Sequence, residues 1–151
     1  MAKKIMYGLL AVLVVIQFIR PQKNVSEIPS QNDIRVQHPL PGNVESILKR
    51  ACFDCHSNNT EYPWYTNIQP VGWWLQNHIN EGKEELNFSE FATYSAKKAD
   101  HKLHEVVEMV EEKEMPLSSY TLIHKDAILT AQETETLINW ANQLRQEIYP
   151  R

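Results

Sequence analysis

Apolar residues along most of this chain recur with a period near 3.6, and nowhere do they alternate for long enough to suggest a strand. Val44, Ile47, Leu48 and Ala51 fall at i, i+3, i+4 and i+7, which predicts a short helix capped by Asn43 after Pro41-Gly42. A second helix is expected from Trp73 to Ile79, closed by Gly82. Leu103, Val106, Val107 and Val110 share one face of a third, from about Asp100 to Glu112, which Pro116 stops. Thr130 with Glu133 forms the capping box of a closing helix lined by Leu137, Ala141, Leu144 and Ile148. The expected class is therefore all-α, with about four helices joined by long loops.

The first twenty residues follow a different pattern. Ile5 to Ile19 is apolar apart from Tyr7, Gly8 and Gln17, with Lys3 and Lys4 before it and Arg20-Pro21 after it. The run is shorter than the roughly 17 to 25 residues of a membrane span and close to the apolar part of an export signal. Its end is too bulky for a signal peptidase, and no cysteine follows to carry a lipid, so an uncleaved N-terminal anchor is expected. Lys3 and Lys4 would stay on the cytoplasmic side of the inner membrane, leaving the remaining chain in the periplasm. Pro21, Pro29, Pro39 and Pro41, set among polar residues, suggest a tether. The expected division is 1–20 anchor, 21–41 linker and 42–151 domain.

Charge narrows the partners. Of 15 Lys and Arg, three precede Pro21, which leaves 12 against 19 Asp and Glu, a net −7 for the part beyond the anchor. A nucleic-acid partner is disfavoured. Glu105, Glu108, Glu111, Glu112 and Glu114 would either steer a basic redox partner or form a solvated helix face.

The chemistry concentrates in Cys52-Phe53-Asp54-Cys55-His56, which holds the only two cysteines. Cys-x-x-Cys-His is the attachment signature of c-type haem. Two thiols separated by two residues at a helix end can reach two vinyl groups on one porphyrin edge. The adjacent imidazole then supplies the proximal nitrogen to iron, with Phe53 and Asp54 as spacers. Three other readings compete. A zinc site would need a fourth ligand from His38, His78, His101, His104 or His124, none at a familiar spacing. A thioredoxin-like pair expects a βαβ context, and a Cys52–Cys55 disulfide closes too small a loop to add much stability.

The segments CFDCHSNNTEYPWY, IQPVGWWLQNHINEGKEELNFSEF and EMPLSSYTLIHKDAILTAQE resemble the bacterial membrane-anchored haem-binding domain family, and more broadly the class I cytochrome c plan. The resemblance runs from about Gly42 to the C-terminus. It implies one covalent haem c, with iron held by His56 and, in the loop before Pro116, by Met115. His78 is the rival for the sixth position, and Met109 reads as core filler. The class I plan also suggests the Pro70 carbonyl as the partner of His56, and Tyr62, Pro63, Trp64, Tyr65, Trp73 and Trp74 as haem-facing surface or ordinary core. The expected function is single-electron transfer to unidentified redox partner proteins, by a carrier rather than a catalyst. The alternative is a haem-based sensor or peroxidase-like protein with a labile sixth ligand.

Overall fold

The computed structural model describes residues 1–150, and among these the chain is helical with no strand. In chain order the α-helices are α1 (Ala2–Ile16), α2 (Ile34–Gln37), α3 (Gly42–Ala51), α4 (Phe53–His56), α5 (Val71–Glu85), α6 (Ala96–Glu111), α7 (Ser118–Thr121) and α8 (Ala131–Ile148). Short 3-10 turns at Trp64–Asn67, Phe88–Thr93 and Lys125–Ala127 connect them.

The core forms where the predicted faces meet. Leu103, Val107 and Val110 of α6 pack along Leu137, Ala141 and Leu144 of α8, and Val44, Ile47 and Leu48 of α3 close the cluster. Arg145 Nε donates to Asp100 Oδ1 at 2.8 Å and locks the two long helices in register, a pair almost withdrawn from water. The capping box is present as read: the Thr130 hydroxyl accepts from Glu133 N–H, and the Glu133 carboxylate accepts from Thr130 N–H.

Three elements differ from expectation. α3 starts at Gly42 with Pro41 as its cap, so Asn43 lies inside the first turn. α5 does not stop before Gly82 but runs through it to Glu85. Gly82 serves contact instead: a Cβ there would lie 2.9 Å from the Cys55 carbonyl oxygen and 3.2 Å from Cys55 Cβ. Residues 21–41, read as a tether, are bonded to the domain. Asn24 donates to the Ser57 carbonyl and Thr60 hydroxyl and accepts from Lys83, while Ile34 is fully buried.

α1 is apolar and exposed around its whole circumference. Among the described residues no helix is long and apolar enough to cross a membrane. At 1.5 Å per residue, fifteen residues reach about 22 Å, short of the roughly 30 Å hydrocarbon core. The end of α1 is fixed to the domain by the Gln17 side chain, which both donates to and accepts from the Gln69 backbone.

Candidate functional site

α3 ends at Cys52, whose φ of −130° breaks the helix, and the chain re-enters one helical turn that carries Asp54, Cys55 and His56. Backbone bonds from Cys55 and His56 N–H to the Cys52 carbonyl close that turn. The motif therefore sits at a helix end, as its spacing implies. The close approach of α5 at Gly82 then brings a second wall against it.

His56 Nδ1 lies 3.0 Å from the Leu86 carbonyl oxygen. A carbonyl only accepts, so Nδ1 carries the proton and the Nε2 lone pair is free to bind a metal. Burial holds the imidazole below its ordinary pKa, against the opposing pull of the Leu86 and Gly82 carbonyls, so it is neutral at pH 7. The orienting carbonyl is thus Leu86, not Pro70, whose carbonyl is taken by Trp74 N–H within the first turn of α5. Leu86 serves because it follows the last residue of α5, where the extended backbone leaves its carbonyl outside the helical ladder.

Two adjoining cavities meet at this turn. One, of about 270 Å³, is lined by Cys52, Asp54, Cys55, His56, His78, Met115 and Tyr120, among others. The second, of about 280 Å³, is walled by Leu86, Phe88, Val106, Met109 and Val110 and shares Ala51, Cys52, His56, Glu85 and Met115 with the first. A smaller space beside Cys55 is bounded by Tyr65, Trp74, His78, Leu117 and Tyr120. Together they form a mainly apolar crevice with two thiols and an imidazole along one side.

Both cysteines are free thiols. Burial pushes Cys52 up to about 12, with Cys55 beside it adding to the shift, and pushes Cys55 up to about 11, with the Asp54 charge adding. At pH 7 neither is a thiolate. Among the described residues no cluster of three or more His, Cys, Asp or Glu gathers as metal ligands.

Met115 reaches the crevice through the end of α6. Lys113 takes a positive φ of 62°, and the N–H groups of Lys113 and Glu114 return to the carbonyls of Val110 and Met109, a Schellman turn. That turn reverses the chain and places Met115 in both cavities. His78 borders the first and the smaller space beside Cys55 but not the second, with Nδ1 held by the Trp74 carbonyl at 2.8 Å. Met109 borders only the second.

The aromatic loop contributes less than expected. Trp64 is 76% exposed, Tyr62 accepts from Asn24 N–H and donates to Gln76, and Trp73 Nε1 donates to the Ile19 carbonyl; only Tyr65 and Trp74 border the crevice. Leu86, Phe88, Val106 and Tyr120 form the wall instead. Phe88 is buried and packs its ring on Phe53 at 5.4 Å, so the first spacer of the motif is a core residue. The second, Asp54, accepts from the Tyr120 hydroxyl at 2.7 Å; burial, then this bond, raise the phenol far above its ordinary pKa. On the acidic face of α6, Glu105 pairs with Lys102 and His101, and Glu108 lies beside His104.

The residues present fit a haem. The crevice is mainly apolar, two thiols lie on one side of it, a neutral imidazole offers Nε2 and a thioether stands in the same space. Fold and crevice define a small helical domain built around a Cys-x-x-Cys-His turn. The family model of the haem-binding domain matches residues 11–143, and the chain belongs to that family. Neither a curated protein nor a solved structure matches it.

Proposed function

We propose that this chain is a monohaem c-type cytochrome-like protein that passes single electrons outside the cytoplasmic membrane. The observation that carries the reading is the crevice that Cys52, His56 and Met115 share across both larger cavities, with Cys55 on the first. Haem, when bound, supplies a one-electron iron couple.

The chain's own residues would do the rest. Cys52 and Cys55 would hold the cofactor as thioethers, each by addition of its S–H across one vinyl group, which forms one C–S and one C–H bond with no leaving group. His56 presents Nε2 because Leu86 fixes its tautomer, and that bond also makes the ligand more basic. Met115 would supply the second protein ligand, and a thioether in that role would disfavour substrate binding and raise the potential. Phe88, Val106 and Leu86 exclude water from the apolar face. The exposed apolar surface of α1 supports a membrane-associated protein, with α1 seated in the lipid and redox partner proteins met by the folded domain.

The test is expression with a c-type maturation system followed by haem staining of a denaturing gel. Covalent haem leaves a stained band, and the Cys52→Ala/Cys55→Ala chain releases its pigment into acidified organic solvent. Retention of the pigment by that variant would refute covalent attachment. The oxidised protein should show a weak far-red sulfur-to-iron band that Met115→Ala abolishes. Tight carbon monoxide or peroxide binding by the unmodified protein would favour the sensor or peroxidase-like alternative, and His78→Ala changing the spin state where Met115→Ala does not would make His78 the ligand.

A further inference from the structure

The segment that carries Met115 is held in place almost entirely by polar bonds. From Met115 to Asp126 no residue is buried, and Leu122 and Ile123 are 69% and 60% exposed. Four polar contacts tie it to the rest of the domain, and one ring stack lies within it. The Tyr120 hydroxyl lies 2.7 Å from Asp54 Oδ2 and 3.4 Å from the Arg50 carbonyl oxygen. The His124 ring stacks on Tyr120 at 4.2 Å and 9°, and His124 Nε2 lies 2.7 Å from the Tyr65 hydroxyl. Arg50 Nε donates to the Asp126 carbonyl beyond.

Asp54 stands between the two cysteines of the motif, and Tyr120 stands five residues after Met115. Their bond thus ties the turn bearing the proximal ligand directly to the segment bearing the distal one, and both side chains border the same cavity as Met115. A neutral hydroxyl donating to a carboxylate makes one of the stronger protein hydrogen bonds, and here both partners are half-buried. A segment with so little buried apolar surface opens readily once its polar anchors go.

We propose that Tyr120 and Asp54 are positioning residues that latch Met115 over the crevice and so set how readily the distal ligand yields to a competitor. This rests on the reading of Met115 as that ligand. The alternative is that Tyr120 only fills the cavity wall. Tyr120→Phe separates the two, because it keeps the ring and its stack on His124 and removes only the hydroxyl.

The experiment titrates the oxidised haem-loaded full chain with imidazole, which competes for the sixth position, and follows loss of the far-red band. A hydrogen bond to a charged group contributes enough that its removal should tighten apparent imidazole binding about tenfold in Tyr120→Phe and in Asp54→Ala. The double variant should match either single rather than show the product of the two effects, since both remove one bond. Asp54→Asn, which keeps an acceptor oxygen and the place of the Glu61 N–H bond, should fall between native and Asp54→Ala. Amide exchange of residues 117–124 should quicken in the same variants even without haem. Unchanged imidazole affinity in Tyr120→Phe, or effects that multiply in the double variant, overturn the latch. If Met115→Ala leaves the band and the imidazole affinity untouched, the ligand assignment itself fails and takes the proposal with it.

Discussion

Replacing Gly82 with alanine tests whether the site depends on how closely α5 approaches the Cys-x-x-Cys-His turn. In an exposed helix interior this change ordinarily stabilises, because alanine is favoured over glycine by roughly 1 kcal/mol. Here the added Cβ would meet the Cys55 carbonyl oxygen at 2.9 Å, Cys55 Cβ at 3.2 Å and the Cys55 carbonyl carbon at 3.3 Å. Two of the three are backbone atoms and the third is fixed to the backbone, so no flexible side chain can swing aside. The helix must move outward, at the roughly 1 to 3 kcal/mol typical of overpacking. The terms oppose each other, and the net expectation is a loss of about 0 to 2 kcal/mol in place of the usual gain. Gly42→Ala is the control, since nothing lies within 4 Å of a Cβ there; it should be neutral or stabilise by roughly 0.5 kcal/mol. Urea unfolding followed by circular dichroism measures both. The displacement should also lengthen the His56–Leu86 bond, because Leu86 directly follows α5, and so lower haem incorporation. A Gly82→Ala chain more stable than native, with full haem loading, would refute the close-approach argument.

Lys113→Gly should raise stability by about 1 kcal/mol in the same unfolding assay, because glycine adopts the positive φ of 62° at the Schellman turn without the penalty a side chain incurs. Phe88→Ala should cost roughly 3 to 5 kcal/mol by opening the wall between Phe53 and the crevice, read as a fall in the unfolding midpoint and a haem spectrum that becomes solvent-sensitive. Asp100→Ala should cost about 3 kcal/mol by leaving Arg145 uncompensated between α6 and α8. The Glu133 carboxyl sits below its ordinary pKa chiefly through the Thr130 N–H bond, with Arg50 assisting. Its contribution is therefore complete above the unfolded value of roughly 4.3 and is lost as pH falls through the lower folded value. Glu133→Gln should flatten the decline in stability over that acid window, and an unchanged decline would refute the assignment.

Much of the fold was legible in local pattern. The faces of α3, α6 and α8 could be read because helix periodicity and a capping box lie within a few residues of one another, and those faces form the core. The place of the Cys-x-x-Cys-His stretch at a helix end was legible for the same reason, because the helix leading into it is a local pattern. The lengths of α5 and of the supposed tether were not. Gly82 looks like a helix stop until another backbone is seen to pass 2.9 Å from where its Cβ would be, and Asn24 looks like linker until its partners 33 to 59 residues away are known.

The identity of the residue orienting His56 was decided by tertiary structure alone. A backbone carbonyl leaves no mark in the sequence, and any residue at the end of α5 could have supplied it; Leu86 does so because α5 packs against α4 and ends there. The same holds for the crevice wall, where Phe88 was hidden in an unpatterned stretch while the conspicuous Trp64 faces water. Asp54 shows the division most clearly. Local chemistry marks it as a spacer between two cysteines, and only the fold, by bringing Tyr120 across 66 positions of chain to within 2.7 Å, gives its carboxylate a partner. Short-range signals suffice for helices and for a five-residue motif; contacts between segments far apart in sequence depend on how the helices pack, and single-residue patterns do not encode that.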